Sequence, residues 1–373
     1  MKIAVISNQA FSLINFRGPL LLEMKKRGHE VLAFAPDFDA ETRSALQVMG
    51  VQAVDFSMNR SGANPFKEMM VILRLLRMLK RVRPDICFSI FLKPVIYSTF
   101  AATLAGVPKR YGLIAGLGYA FSTEPDQKKV RRLTKKVVIK LSRLATLRIN
   151  GLYFQNKDDH CDAVSAGMVS KDKAILVGAT GVELDKWKPA PIPEDRVTFI
   201  IVARMIRDKG IEEYVVAART LRSDFPDARF IILGALDDNP TAISRAEIDG
   251  WVKEGVVEWP GHVSVRPWLE QSSVFVLPSY YREGVPRSTQ EAMAMGRPVI
   301  TTDCPGCRET VIDGLNGFFV PPRDPAALAE AMKKFLIEPN LIPEMGRYSR
   351  KISEERFSAQ VQNAKLLELM EIF

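Results

Sequence analysis

The sequence is poor in the residues from which metal centres and disulfide frameworks are built, with 4 cysteines and 3 histidines among 373 residues. So few thiols fit a reducing compartment rather than a stapled secreted scaffold. Cys304 and Cys307 form a C-x-x-C, but the Pro-Gly turn between them is a poor redox loop, and no second pair exists to complete a structural zinc site. Two acidic pairs, Asp158–Asp159 and Asp237–Asp238, read as a helix first turn and a turn before Asn239-Pro240, so neither is assigned to a metal. No apolar run approaches the roughly 18 residues of a membrane span. The opening stretch from Met1 to Asn8 is too brief for a signal h-region and reads as a first strand, which makes the cytoplasm the expected location. No period of 20–50 residues recurs, which excludes a repeat array. No nucleic-acid motif or aromatic-studded basic strand appears, so no nucleic-acid partner is expected.

What is present is an ordinary globular composition, 47% apolar and 25% charged, in a chain long enough for two domains with their own cores. Short apolar runs alternate with amphipathic stretches throughout, the α/β signature. Strands are expected near 2–7, 30–35, 52–55, 85–90, 109–112, 151–154 and 174–177, with helices beginning near Arg17, Pro65, Pro94, Gln127 and Asn156. Between Lys186 and Asp195, Pro189, Pro191 and Pro193 stiffen a connector. A second α/β domain follows, with strands near 197–203, 229–233, 256–259, 274–277, 298–301 and 317–320. Its helices begin near Gly210, Asn239, Val265, Pro286, Pro305 and Pro325, and a last helix covers about 355–373. The expected domains are 1–188 and 196–354.

The most informative segment runs from Glu283 to Gly296. Glu283 and Glu291 stand eight residues apart, separated by a turn (Gly284, Val285, Pro286) and a helix start. Backbone N–H groups at such a start are unsatisfied and attract phosphate or hydroxyl oxygens. Glu283, in the turn, is placed to accept hydrogen bonds from a sugar, and Glu291, in the helix, from a ribose diol. For an isolated E-x7-E, a surface loop with two solvated glutamates is the alternative. Here buried strands flank the motif, Val274–Leu277 before and Pro298–Thr301 after. That places the loop at the carboxyl edge of a parallel sheet, where ligands bind. Arg204 and Lys209 lie in the loop after the domain's first strand, with Gly210 opening the next helix. Two cations at a helix start suit a leaving diphosphate whose charge grows during reaction.

At these residues the sequence resembles the retaining glycosyltransferases of family 4, in their bacterial surface-glycan branch. Further matches lie at Val202–Gly210, Gly261–Val263, Pro305–Glu309, Asp313–Gly317 and Gly181–Asp185. The resemblance implies the GT-B architecture, two Rossmann-like doubly wound domains facing a cleft, with the terminal helix packing back on the first. It implies that Arg204 and Lys209 hold the donor's two phosphates and that Glu283 works at the sugar. It further implies that Val263 helps wall the base, and that basic residues stand in for a metal. Gly284, Val285, Pro286 and Glu291 complete the expected donor site. In the first domain, Asn15, Arg17 and Gly18 are expected at a helix start that reaches the donor phosphate. A single glycine stands there where many family members carry several. The mid-domain stretch from Leu113 to Phe121 (Tyr119 included) has no histidine, so Gly116, Gly118 and Lys93 are the remaining cleft candidates. Retention needs no protein base, since the departing phosphate can take the acceptor proton on the same face.

From Lys128 to Arg148 the chain carries nine basic residues and no acid, with apolar residues between them at helical spacing. The cations suit an anionic membrane surface. The apolar stripe is expected to pack inward, which predicts binding that fades as salt rises. The reading is a glycosyltransferase that uses a nucleotide diphosphate sugar, with a UDP-sugar expected, and a lipid-linked or growing glycan acceptor. Its alternatives are a UDP-sugar 2-epimerase of the same fold and a non-catalytic basic binding module.

Overall fold

The computed structural model describes residues 1–58, 65–118, 121, 128–237 and 241–373, with the backbone alone at Pro65 and at 128–132. Tyr119, Gln127, Asp238 and Asn239 therefore lie outside the described residues, as do the side chains of Lys128, Lys129, Arg131 and Arg132. Residues 1–180 together with 359–373 form one compact unit, and residues 181–358 form a second.

The first unit is built on strands β1 (Lys2–Ile6), β2 (Glu30–Ala35), β3 (Gln52–Asp55), β4 (Ile86–Ile90), β5 (Lys109–Ile114), β6 (Gly151–Phe154) and β7 (Ala174–Leu176). All pair in parallel, in the order β3-β2-β1-β4-β5-β6-β7. Helices α1 (Ala10–Asn15), α2 (Gly18–Lys26), α3 (Ala40–Val48), α4 (Pro65–Val82), α5 (Leu92–Ala105), α6 (Lys128–Thr146) and α7 (Lys157–Ser165) connect them. The central strands are near-continuous apolar runs because helices cover both faces of the sheet. Ile3, Val5 and Phe88 face a core with Leu20, Leu21 and Met24 of α2. Ala4, Ile6 and Phe34 face another with Leu75 and Leu79 of α4.

The second unit repeats the plan. Strands β8 (Thr198–Val202), β9 (Arg229–Leu233), β10 (Glu258–Gly261), β11 (Val274–Leu277), β12 (Val299–Thr302) and β13 (Gly317–Val320) form a parallel sheet ordered β10-β9-β8-β11-β12-β13. Its helices are α8 (Ile211–Arg222), α9 (Arg245–Lys253), α10 (Arg266–Glu270), α11 (Arg287–Ala294), α12 (Pro325–Ile337) and α13 (Leu341–Arg356). The proline connector lies within this unit. Arg297, fully buried, donates to the carbonyls of Ala190 (2.8 Å), Pro191 (3.0 Å), Leu269 (3.0 Å) and Glu270 (3.1 Å) and so pins the connector in place. Burial pulls its pKa down to about 10.

The terminal helix read over 355–373 is two elements. Helix α13 ends at Arg356, and α14 (Ala359–Leu369) belongs to the first unit, where Leu366, Leu367, Met370 and Ile372 join the α2 core. The break falls where the Phe357 carbonyl accepts a bond from Val182 N (2.7 Å) instead of continuing a helix. Two other local expectations change. The segment expected to lead from β1 into one helix at Arg17 is α1, a turn and then α2, because Ala10 and Leu13 bury a short helix of their own. Only a 3-10 turn, Cys307–Glu309, follows Pro305.

Candidate active site

In the second sheet the winding direction reverses between β8 and β11. Loops leaving the carboxyl ends of such neighbours splay apart and open a crevice for a ligand. The β8 loop carries Arg204 and Lys209, and the β11 loop carries Glu283, Gly284, Val285 and Pro286. The two loops are tied together at one carbonyl. Asp208 O accepts from Tyr280 N (3.0 Å), Tyr281 N (2.9 Å) and Ser279 Oγ (3.3 Å). The approach is close enough to fix a residue type. Gly210, at φ 74°, caps α8, and a Cβ there would stand 2.3 Å from Pro278 O. Gly306 packs in the same way on the Glu283–Gly284 peptide, where a Cβ would meet Gly284 O at 2.2 Å. That packing turns the chain away from the helix expected at Pro305.

Charge concentrates in this crevice. Lys209 Nζ is ion-paired with Glu283 Oε1, both side chains little exposed, and Ser279 Oγ lies 3.3 Å from the same carboxylate oxygen. Arg204 Nη1 pairs with Asp237 Oδ2 at 2.9 Å. Burial works against the Arg204 charge, but the bond to Asp237 and the nearby anions outweigh it and raise its pKa. The Tyr281 ring centroid lies 5.4 Å from Lys209 Nζ and 5.8 Å from Arg204 Cζ. Two cations at a helix start, each held by a carboxylate, can exchange those partners for an incoming phosphate.

Glu291 stands one turn into α11. Its carboxyl is pushed up by burial and held back by Arg287, whose Nε lies 2.9 Å from Glu291 Oε1. Arg287 also donates to Gly181 O (2.7 Å), while Gln290 accepts from Gly181 N (3.0 Å). The Gly181–Asp185 motif thus begins on the helix that carries Glu291. Val263 follows β10, the edge strand two places from β8, and lies outside the ion-paired cluster.

The first unit has the same reversal between β1 and β4. The helix start that follows β1 is Ala10, and its N–H donates to Asp37 Oδ1 (2.7 Å). Asn15 is exposed in the last turn of α1, donating to Phe11 O (3.2 Å). Arg17 is buried, and Gly18 opens α2 beside Met49. These three thus lead into the start of α2, as the sequence suggested, but one short helix further along the chain than the start that directly follows β1. After β4, Lys93 pairs with Glu68 at 2.7 Å, both little exposed. Gly116 and Gly118 flank Leu117, whose N–H donates to the buried Asp159 (3.1 Å) at the start of α7. On α6 the apolar stripe divides. Val138 and Ile139 pack against the core, while Leu133, Val137 and Leu144 are exposed, so the stripe does not all turn inward.

Sequence reasoning missed Asp237 as the Arg204 partner, and Tyr281 and Arg287 as neighbours of the charged residues. Only the position of Tyr281, two residues before Glu283, could have raised it. Among the described residues no three His, Cys, Asp or Glu side chains cluster as metal ligands would. No helix there is long and apolar enough to cross a membrane.

Comparison with known proteins places this geometry in a family. The family described as "Glycosyl transferases group 1" matches residues 196–338, and "Glycosyl transferase 4-like" matches residues 2–156. The chain is 26% identical over 355 residues to the N,N'-diacetylbacillosaminyl-diphospho-undecaprenol alpha-1,3-N-acetylgalactosaminyltransferase of Campylobacter jejuni, covering 91% of each. It is 24% identical over 315 residues to the capsular polysaccharide biosynthesis glycosyltransferase CapM of Staphylococcus aureus, covering 79% of each. Among solved structures, Anabaena Alr3699/HepE in complex with UDP-glucose aligns over 100% of both chains, with a TM-score of 0.79 at 15% identity. Sucrose-phosphate synthase from Thermosynechococcus elongatus aligns over 100% of this chain and 98% of that one, with a TM-score of 0.78 at 19% identity. Both family matches, the full-length structural likeness and the paired doubly wound sheets agree: the chain belongs to the group 1 glycosyl transferases of family 4 and is a glycosyltransferase of GT-B fold.

Proposed function

We propose that the protein moves a sugar from a UDP-sugar to a lipid-linked or growing glycan, with retention of the anomeric configuration and without a metal. The observation that carries this is the gathering of Arg204 and Lys209 at the β8–β11 crevice, each on a displaceable carboxylate, Asp237 and Glu283, with Glu291 one turn into the helix that follows Glu283. The donor diphosphate would take Arg204 and Lys209, the sugar hydroxyls Glu283, and the ribose diol Glu291. As the bond from the anomeric carbon to the diphosphate breaks, the two cations take up the growing negative charge. The acceptor oxygen bonds on the same face and passes its proton to the departing phosphate oxygen, so atoms and charge balance without a protein base. The choice of donor and acceptor is supported by relatives: a solved structure of the same fold is a complex with UDP-glucose, and a relative matched over 91% of its length is named for an undecaprenol-linked acceptor.

A panel of UDP-, GDP-, ADP- and dTDP-sugars in thermal shift tests the donor, because a ligand of the native state raises the melting temperature by mass action. NMR of the product then reads the anomeric configuration. A donor other than a UDP-sugar, or inversion, overturns that part of the reading.

The acceptor is proposed to be met at an anionic membrane surface by α6. Here the exposed Leu133, Val137 and Leu144 add apolar contact to the charge of the basic face. Flotation with anionic liposomes should show binding that falls with salt but keeps a remainder at 1 M, where the Debye length is about 3 Å. Leu133→Ser with Leu144→Ser should remove that remainder. Absence of binding at low salt would return α6 to an ordinary solvated face.

A further inference from the structure

Two cations that must both face one anion repel each other when that anion is absent, and the fold has to hold them together meanwhile. Asp237 and Glu283 each neutralise one of them. What Arg204 and Lys209 share is the Tyr281 ring, with its centroid 5.8 Å from the guanidinium carbon and 5.4 Å from the ammonium nitrogen. Both distances lie within the roughly 6 Å over which an aromatic face attracts a cation. The backbone that carries the ring is itself fixed. Tyr281 N donates to Asp208 O (2.9 Å) and to Ser279 Oγ (3.2 Å), and Tyr280 N donates to the same Asp208 carbonyl (3.0 Å). Asp208 is the residue before Lys209, so the backbone that carries one cation is tied to the backbone that carries the ring. Asp208 Oδ2 in turn accepts from Thr241 Oγ1 (2.9 Å), which braces the turn from its other side.

We propose that Tyr281 is a positioning residue for the donor diphosphate. Its ring is a common platform that keeps Arg204 and Lys209 side by side, so that the incoming phosphates meet a preformed pair of cations. This rests on the reading of Arg204 and Lys209 as the diphosphate site. The face of the ring does the work, whereas its hydroxyl is not required. A preformed pair lowers the ordering cost of binding and leaves recognition of the nucleoside untouched.

The experiment uses the full chain and the nucleoside diphosphate, among UDP, GDP, ADP and dTDP, that most raises the wild-type melting temperature. Its affinity and that of the matching nucleoside are measured by calorimetry or ligand-observed NMR on wild type, Tyr281→Phe, Tyr281→Leu, Arg204→Ala and Lys209→Ala. Tyr281→Phe should bind the diphosphate as wild type does. Tyr281→Leu should bind it about tenfold more weakly, the scale of losing two part-desolvated cation–π contacts, with nucleoside affinity unchanged. Three results overturn the proposal: wild-type diphosphate affinity in Tyr281→Leu, equal loss of diphosphate and nucleoside, or a loss in Tyr281→Phe as large as in Tyr281→Leu. The two alanine variants separate this from the underlying reading. If both bind the diphosphate normally, or if none of the four nucleotides binds wild type, the diphosphate site fails and the role of Tyr281 with it. If they lose affinity while Tyr281→Leu does not, only the platform is refuted.

Discussion

The two units carry one scaffold and two different edges. Each winds outward from a central strand pair, β1–β4 in the first and β8–β11 in the second, and each opens a crevice where the direction reverses. At the first crevice the described residues include small hydroxyls after β1 and one ion pair, Lys93 with Glu68, after β4. Ser7 Oγ lies 2.7 Å from Ser12 Oγ, and the helix start at Ala10 is already occupied by Asp37. At the second the loops bear Arg204, Lys209, Glu283 and Asp237 in two ion pairs around Tyr281. The backbone plan therefore decides where a ligand can sit, and the loop residues decide which of the two places has the charge for a nucleotide diphosphate. The basic surface on α6 belongs to the first unit.

The sharpest way to break this contrast is to remove the second crevice's cations. Arg204→Ala or Lys209→Ala should lower turnover by two or more orders of magnitude, on the scale of losing one contact to a developing anion, with little change in melting temperature. Wild-type turnover in either variant would abolish the distinction drawn between the crevices. A second test addresses what holds the charged unit together. Arg297→Met strands four buried carbonyls and should cost about 3 kcal/mol or more, read as a lower urea midpoint, while donor affinity under folding conditions persists. An unshifted midpoint would show that the connector needs no such pin.

Smaller effects separate the two glutamates. Glu291→Gln should weaken UDP and the intact sugar nucleotide alike, because the buried carboxylate is proposed to hold the ribose that both contain. Glu283→Gln should spare UDP and impair the intact sugar nucleotide. Both substitutions should change affinity by about tenfold, the scale of a charged hydrogen bond. An unchanged UDP affinity in Glu291→Gln, or an equal loss of UDP and sugar nucleotide in Glu283→Gln, would mean the roles are misassigned. The smallest expected effect is none. Exhaustive EDTA treatment should leave turnover unchanged, since Arg204 and Lys209 supply the positive charge. Loss on chelation with recovery on Mg²⁺ or Mn²⁺ would put a metal where these cations are placed.

The β-sheets were largely legible because buried parallel strands are short apolar runs between turn residues, as at Ile86–Ile90 and Val274–Leu277. Helices α1, α3 and α13 were not. Helix α1 is six residues long with no side-chain cap, and α13 has a proline in its first turn and two arginines and a lysine in its middle. Helix α3 does carry a local signal, the Asp39–Thr42 capping box. The break between α13 and α14 depends on Val182, far away in the sequence, taking the Phe357 carbonyl.

For the active site, the sequence by itself determined the residue types and their order: cations after one strand, carboxylates after another, and glycines where the chain must turn. Those follow from local chemistry, since a helix start, a tight turn and a buried strand each restrict what can stand there. Tertiary structure decided the partners. That Lys209 faces Glu283 and that both cations share the Tyr281 ring depends on β8 and β11 lying side by side, although they are far apart in the chain, and that Arg204 faces Asp237 depends on β9 flanking β8 on its other side. Likewise the exposure of Leu133, Val137 and Leu144 follows from which side of α6 the first core leaves uncovered. Helical spacing defines a stripe, but only packing decides whether it meets the interior or the solvent.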